Sequence, residues 1–296
     1  MKILLTGANG QVGWELARLG VQRGFELLTS DLPELDIRDG DAVKKAIHGI
    51  APFLMVNAAA YTAVDQAESE PDLAVAVNRD GPGNLASACA VAGIPLIHIS
   101  TDYVFDGGKT GPYVETDPVS PLGVYGRTKA AGEVEVRARL PEHIILRTAW
   151  LYGSHGQNFV KTILRLASQR ETLRVVADQY GCPTYAADLA EAILNVAACQ
   201  REGGRNAWGT YHYCGKGVTS WHAFAQAICE ETRKHARLKV REIVAIPTEQ
   251  YPTAAKRPAN SALDCSLLTK TFGISPKPWR ESLALMIEQL YQQGKY

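Results

Sequence analysis

The chain has 296 residues, and 31 Lys plus Arg balance 31 Asp plus Glu, so its formal net charge is zero. No dense basic block interrupts that balance, which argues against a nucleic-acid partner, because affinity for a polyanion rests on clustered Lys and Arg. The 46% apolar and 21% charged content is that of a globular protein, and the length suggests about two domains, or one large α/β domain with a cap.

No run approaches the ~18 apolar residues a membrane helix needs, so no membrane partner is expected. The N-terminal run Ile3-Leu4-Leu5 is too short for a signal peptide, which predicts a cytoplasmic protein. The cysteines (Cys89, Cys182, Cys199, Cys214, Cys229 and Cys265) contain no C-x-x-C pair, and the histidines form no H-x-x-x-H pattern. Scattered cysteines of this kind fit a reducing compartment and small buried side chains better than disulfides or a metal site.

In chain order, Ile3-Leu4-Leu5 reads as a strand and Val12 to Gln22 as a helix, with Val12, Leu16 and Leu19 on one face. Glu26 to Thr29 is a second strand, Asp41 to His48 a helix, and Phe53 to Val56 a strand. One long helix is expected from about Asp72 to Val91, then a strand from Pro95 to Ile99, a helix from Tyr125 to Leu140 and a strand from Ile144 to Arg147. Strands alternating with helices imply right-handed crossovers and a parallel sheet covered on both faces. Beyond Trp150 the rhythm loosens. Helices are expected at Asn158 to Ser168, Ala187 to Ala198, Ser220 to His235 and Ser282 to Gln292, with strands at Leu173 to Val176 and Gly209 to Cys214. Pro and Gly accumulate between Pro247 and Pro278. The expected division is a dinucleotide-binding domain at 1–150, which segments near 187–215 rejoin, and a mainly substrate-binding domain at 151–296.

Gly7-Ala8-Asn9-Gly10-Gln11-Val12-Gly13 lies between the first strand and the first helix, the context a dinucleotide-binding turn requires. Gly7 permits the tight turn, Gly10 lets backbone N–H groups approach a pyrophosphate, and Gly13 lets helix pack on strand. Gln11 and Val12 open the helix, whose N-terminus favours an anion. Asp31 stands 18 residues after Gly13. Its carboxylate can accept from both hydroxyls of an adenosine ribose and disfavours a 2′-phosphate, so NADH is favoured over NADPH. Asp36 and Ile37 could hold the adenine edge, although Asp36 reads equally well as an aspartate at a helix N-terminus.

Tyr125-Gly126-Arg127-Thr128-Lys129 puts a phenol and an ammonium at i and i+4 on one helix face. A nearby ammonium favours the phenolate, so Lys129 is expected to pull the Tyr125 pKa toward the operating range. Lys129 could also bond the nicotinamide ribose. The pattern is common on its own. Together with the glycine turn and a strand ending at Ser100-Thr101 it becomes specific.

On these residues the chain resembles the extended short-chain dehydrogenase/reductase family. Within it, Ser100-Thr101-Asp102-Tyr103-Val104-Phe105 and Asp178-Gln179-Tyr180-Gly181-Cys182-Pro183-Thr184 are similar to reductases of dTDP-linked 4-keto-6-deoxy sugars. So are Tyr61-Thr62-Ala63-Val64-Asp65-Gln66-Ala67-Glu68, Arg147-Thr148-Ala149-Trp150-Leu151-Tyr152 and Arg257-Pro258-Ala259-Asn260-Ser261-Ala262-Leu263. The resemblance implies a Rossmann-like doubly wound α/β sheet with a smaller C-terminal substrate-binding cap. It implies hydride transfer from NADH or NADPH to the C4 ketone of dTDP-4-dehydro-L-rhamnose, giving dTDP-L-rhamnose.

By the same resemblance Tyr125 protonates the developing alkoxide, Lys129 holds the ribose, and Thr101 hydrogen-bonds the carbonyl oxygen. Asp102 would touch the sugar, and Ala60, Tyr61 and Thr62 would line the nicotinamide side. Trp150 could stack on the deoxy-sugar, or simply be core. Asn158 and Gln179 are candidate polar contacts to the sugar nucleotide. Arg257 suits a diphosphate, or a surface salt bridge. Some relatives dimerise through a divalent metal near the first helix, where Glu15 could take part; a single glutamate is far more often solvated than ligating, so no metal site is assigned, and Mg2+ at a dimer interface and monomer or homodimer are left open. Sugar-nucleotide dehydratases carry Asp-Glu after the active-site Thr, and Asp102-Tyr103 here argues against dehydration. The alternatives are an epimerase and a non-catalytic dinucleotide-binding protein, resembling the regulatory subunit of methionine adenosyltransferase.

Overall fold

The structure is a computed structural model that describes residues 1–201 and 207–294. Alternation along the first strand, β1 (Lys2–Thr6), sends Ile3 and Leu5 to one side and Leu4 to the other. Both sides are buried, as a parallel sheet covered on two faces requires. The chain continues through α1 (Gln11–Gln22), β2 (Glu26–Ser30), α2 (Gly40–Ile50) and β3 (Leu54–Asn57). Then follow α3 (Val64–Ala67), α4 (Pro71–Val75), α5 (Gly81–Ala92), β4 (Leu96–Thr101), α6 (Val124–Arg139) and β5 (His143–Thr148).

The long helix expected from Asp72 to Val91 is interrupted. Residues Ala76–Asp80 form a π-helical turn between α4 and α5. Pro82 lies in the first turn of α5 and has no N–H to return to the Asn78 carbonyl, so the regular ladder breaks there.

Past Trp150 come β6 (Leu151–Tyr152), α7 (Phe159–Gln169), β7 (Thr172–Val176), β8 (Tyr180–Gly181), β9 (Thr184–Tyr185) and α8 (Ala186–Arg201). They are followed by β10 (Gly209–His212), β11 (Thr219–Ser220), α9 (Trp221–Thr232), β12 (Glu242–Ile246), α10 (Ser266–Phe272) and α11 (Trp279–Gln292). Within the 187–215 stretch, residues 202–206 lie outside the described residues. Strand β12 and helix α10 were not expected. β12 pairs in parallel with β7, and the seven-residue α10 is ended by Gly273 in the left-handed region (φ 73°).

Six strands form one sheet in the order β10-β5-β4-β3-β1-β2, with every pairing parallel. The order reverses between β1 and β3, and that switch point is where open α/β sheets bind ligands. Leu5, Val56 and Leu146 pack under α1 and α8 on one face; Leu4, Met55 and Ile145 pack under α2 and α5 on the other. A separate core joins Val160 and Ile163 of α7, Phe224 and Ile228 of α9, and Met286 and Leu290 of α11. That cap stands over the C-terminal ends of the sheet strands.

Candidate active site

A groove of about 980 Å³ runs along the ends of β1, β3, β4 and β5 beneath the cap. Gly7 has φ 75°, and a Cβ there would lie 2.4 Å from the Ala58 carbonyl carbon. A Cβ on Gly13 would lie 2.1 Å from the Gly7 carbonyl oxygen, so the turn folds tightly onto α1 only with glycine at both places. Gly10 also shapes the turn itself. Its own N–H closes the turn onto the Gly7 carbonyl at 3.1 Å. Gly10 also caps α1 without a side chain, and the first helical bond runs from the Trp14 N–H to the Gly10 carbonyl. The amides of Gln11, Val12 and Gly13 therefore offer the donors that an anion at a helix N-terminus needs. Gly7, Gly10, Gln11 and Val12 line the groove, and Gly13 sits behind them.

The Asp31 carboxylate is fixed at the end of β2, accepting from the Asn9 N–H at 2.8 Å and the Leu32 N–H at 2.9 Å. Asp31, Asp36 and Ile37 all line the same end of the groove. Asp36 is paired with Arg38 at 2.5 Å, and that guanidinium holds its carboxyl below the usual range. On the far side, Ala60, Tyr61 and Thr62 follow β3 along the wall.

Thr101, Asp102, Tyr125 and Lys129 meet where β4 ends against α6, and all four line the groove. The Thr101 hydroxyl donates to Asp102 Oδ1 at 3.0 Å. Lys129 Nζ donates to the Ile99 carbonyl at 2.6 Å. Burial lowers the Lys129 ammonium to about 8, against the pull of Glu133. The expected lowering of Tyr125 is not found: burial pushes its phenol up to about 12, the Thr101 side chain lowers it and Asp102 raises it. The ammonium faces a backbone carbonyl instead of the phenol. Tyr125 is therefore a neutral donor at physiological pH. Burial also pushes Asp102 up to about 7, partly offset by the neighbouring Ser261 and Thr101 hydroxyls, and Asp102 Oδ2 is buried without a hydrogen-bond partner.

Residues that were not singled out as site candidates hold α6 in place. Gly123 has no side chain to cap the helix, and Glu68 accepts from the Val124 N–H at 2.7 Å instead. Asn78, in the π-helical turn, accepts from the Tyr61 N–H at 2.9 Å and donates to Thr128 Oγ1 at 3.2 Å, tying the wall after β3 to α6. Glu133, one turn beyond Lys129, forms a two-point pair with the fully buried Arg147 at 2.8 and 2.7 Å and accepts from Ser100 at 2.6 Å.

At the other end of the groove Trp150 stacks on Trp221, with ring centroids 3.5 Å apart and planes within 6°, and Phe159 tilts against Trp221. Trp150 has φ 45°, a strained backbone for a bulky residue, of the kind that gathers at functional sites. Trp221 was missed, because one Trp at the start of a helix looks like core.

Three expected substrate contacts do not line the groove. Asn158 caps α7, accepting from the Lys161 N–H at 3.1 Å, and donates to Gln11 Oε1 at 3.0 Å. Gln179 donates to Thr248 at 3.1 Å. Arg257 makes a two-point pair with Asp65 at 2.7 and 3.1 Å, the salt bridge left open as its alternative. Glu15 is buried and paired with Arg18 at 2.7 Å, and no metal-binding cluster of His, Cys, Asp and Glu occurs among the described residues, so nothing here supports Mg2+. No helix among them is long and apolar enough to cross a membrane.

The family described as RmlD substrate binding domain matches residues 1–292. The chain belongs to that family. It is 47% identical over 284 residues to the dTDP-4-dehydrorhamnose reductase of Aggregatibacter actinomycetemcomitans, covering 95% of this chain and 97% of that one. The crystal structure of a dTDP-4-dehydrorhamnose reductase ortholog from Clostridium acetobutylicum superposes with a TM-score of 0.92 at 42% identity, over 98% of this chain and 100% of that one. The Bacillus anthracis dTDP-4-dehydrorhamnose reductase, solved in complex with NADP, gives 0.90 at 37% identity, over 97% of this chain and 99% of that one.

Proposed function

We propose that this protein uses NADH or NADPH to reduce the C4 ketone of dTDP-4-dehydro-L-rhamnose to dTDP-L-rhamnose. One observation carries the reading. The glycine turn, Asp31 and the Thr101, Tyr125 and Lys129 group share a single groove, in a chain whose full-length relatives bear the reductase name. The residues fit a dinucleotide, because Gly7, Gly10, Gln11 and Val12 line the groove at the N-terminus of α1, whose first-turn amides suit a pyrophosphate. A bound dinucleotide supplies the hydride.

The chain's own residues do the rest. The first-turn amides of α1 hold the pyrophosphate, and Asp31 accepts from the adenosine ribose. Lys129 would hold the nicotinamide ribose. Tyr125, protonated because burial holds its phenol near 12, gives its proton to the alkoxide oxygen. The Thr101 hydroxyl donates to that same oxygen as charge builds. Asp102 lies against the sugar, and Trp150 and Trp221 cover it from water. Asp31 favours NADH; Arg38, also on the groove, could meet a 2′-phosphate only in competition with its partner Asp36. A neighbour in complex with NADP supports acceptance of both.

We assign dinucleotide binding to residues 1–150 with α8 and β10, and sugar binding mainly to the remainder. We place the protein in the cytoplasm, where six cysteines without a disulfide are at home. The test follows NADH and NADPH oxidation with a panel of nucleotide-linked 4-keto-6-deoxy sugars and identifies the product's C4 stereochemistry. Oxidation confined to the dTDP-linked sugar is expected. Binding of either dinucleotide without turnover of that sugar overturns the proposal.

A further inference from the structure

Three cysteines that the reaction does not use converge behind the Trp150 wall. Cys182 follows β8, Cys214 lies two residues past β10, and Cys265 caps α10. Cys182 and Cys214 are buried, whereas Cys265 is half-buried and is the member of the group nearest solvent. Cys214 Sγ and Cys265 Sγ stand 3.6 Å apart, across 51 positions of sequence. The Cys214 N–H also donates to Cys265 Sγ at 3.3 Å.

Both sides of this contact are anchored. The Tyr213 N–H bonds the Arg147 carbonyl at 2.9 Å, and the Gly215 N–H bonds Thr184 Oγ1 at 3.3 Å. Opposite, the Asp264 N–H bonds the Tyr113 carbonyl at 2.8 Å. The apolar cluster around the thiols includes Phe105, Tyr113 and Ala149, with Trp150 at its edge.

We propose that Cys214 and Cys265 form a thiol-oxidation site that closes reversibly to a disulfide under peroxide-class oxidants. A disulfide needs sulfurs about 2.05 Å apart, so rotation of the Cys265 side chain has roughly 1.5 Å to cover. The Cys265 thiolate attacks a peroxide oxygen. The O–O bond breaks and leaves a sulfenic acid and hydroxide, which takes up the proton the Cys265 thiol released and departs as water. The Cys214 sulfur then attacks the sulfenic sulfur, the S–S bond forms, and water departs with the thiol proton. Two thiols and one hydrogen peroxide become one disulfide and two waters, and a reducing thiol reverses the step. Neither sulfur lines the groove. The bond ties β10 to α10 and stiffens the support of Trp150 without altering the reacting groups.

The test treats the full-length protein with hydrogen peroxide, alkylates the remaining thiols and maps a non-reduced digest by mass spectrometry. The expected result is a Cys214–Cys265 cross-linked peptide pair that dithiothreitol separates, with a rise in melting temperature of about 5 °C. Cys265→Ser should abolish both the cross-link and the rise, and Cys182→Ser should keep both. Full alkylation of Cys214 and Cys265 after peroxide overturns the proposal. So does a cross-link to Cys182 in place of Cys265.

Discussion

Replacing Lys129 by Met should remove activity and stabilise the fold at neutral pH. Lys129 is 2% exposed, and its burial lowers the ammonium from 10.5 to about 8. That fall corresponds to about 3 kcal/mol of folding free energy lost wherever the group is charged in both states. Methionine fills similar space without the charge. What is lost is the bond to the Ile99 carbonyl, about 1.5 kcal/mol for a charged donor. The net expectation is a Lys129→Met protein more stable than the parent by about 1–2 kcal/mol at pH 7. The pH dependence has a fixed sign. Between about pH 8 and 10.5 the unfolded parent still holds the Lys129 proton while the folded parent has released it, so parent stability climbs through that window. The variant lacks this climb, and its advantage should vanish by about pH 10. Urea melts at both pH values, beside NADH titrations, read the two effects separately. A variant less stable than its parent at pH 7, or an advantage that does not shrink with pH, would refute the assignment of Lys129 as a costly buried cation.

Tyr125→Phe should lower kcat by roughly 10²–10⁴ through loss of the proton donor, with dinucleotide affinity unchanged by calorimetry. A Cβ on Gly10 meets only the Gly7 carbonyl oxygen, at 3.3 Å, so Gly10→Val should fold; its side chain should weaken dinucleotide binding by ~10-fold or more, about 1.4 kcal/mol. Glu133→Gln leaves the Arg147 charge buried without its full partner and should cost about 3–5 kcal/mol in denaturant melts, with Glu133→Gln/Arg147→Met recovering part of it. Asp102 titrates higher folded than unfolded, so the stability of the parent relative to Asp102→Asn should fall as pH rises from about 4 to 7 in paired melts.

The elements that write their own periodicity were legible. β1, α1, β3 and β5 lie within about two residues of where the apolar pattern puts them. The glycine turn, Asp31 and the Tyr125 to Lys129 face were legible too, because each depends on a local spacing. What failed were long-range decisions. Pro82 announces a break in the helix, but nothing in the local sequence says that the π-helical turn at Asn78 reaches both Tyr61 and Thr128. Arg257 and Asp65 are far apart in sequence, and only the folded chain shows that they satisfy each other. Strand β12 carries the apolar run Ile243-Val244-Ala245-Ile246, but it is short and mostly only half-buried; its parallel pairing with β7 makes it a strand. The pKa of Tyr125 went the other way for a similar reason. An i, i+4 neighbour in sequence says nothing about which carbonyl captures the ammonium.

The Tyr125 to Lys129 spacing therefore matters less than the height at which α6 sits. A Cβ on Gly126 would stand 2.1 Å from the Tyr103 carbonyl oxygen, and one on Gly132 would stand 2.0 Å from the Asn78 carbonyl oxygen. These two glycines let the helix approach the backbone on either side of the reacting pair. Glu68 fixes its N-terminal end, and the Glu133–Arg147 pair fixes it one turn past Lys129. With both ends pinned and both contacts bare, the phenol is carried to the Thr101 hydroxyl and the ammonium to the strand end at Ile99. The same two side chains on an otherwise similar helix, held off by one methyl group at Gly126, would face the groove without reaching it. The proposed chemistry rests on Tyr125 and Lys129, but their placement rests on the glycines and carboxylates around them.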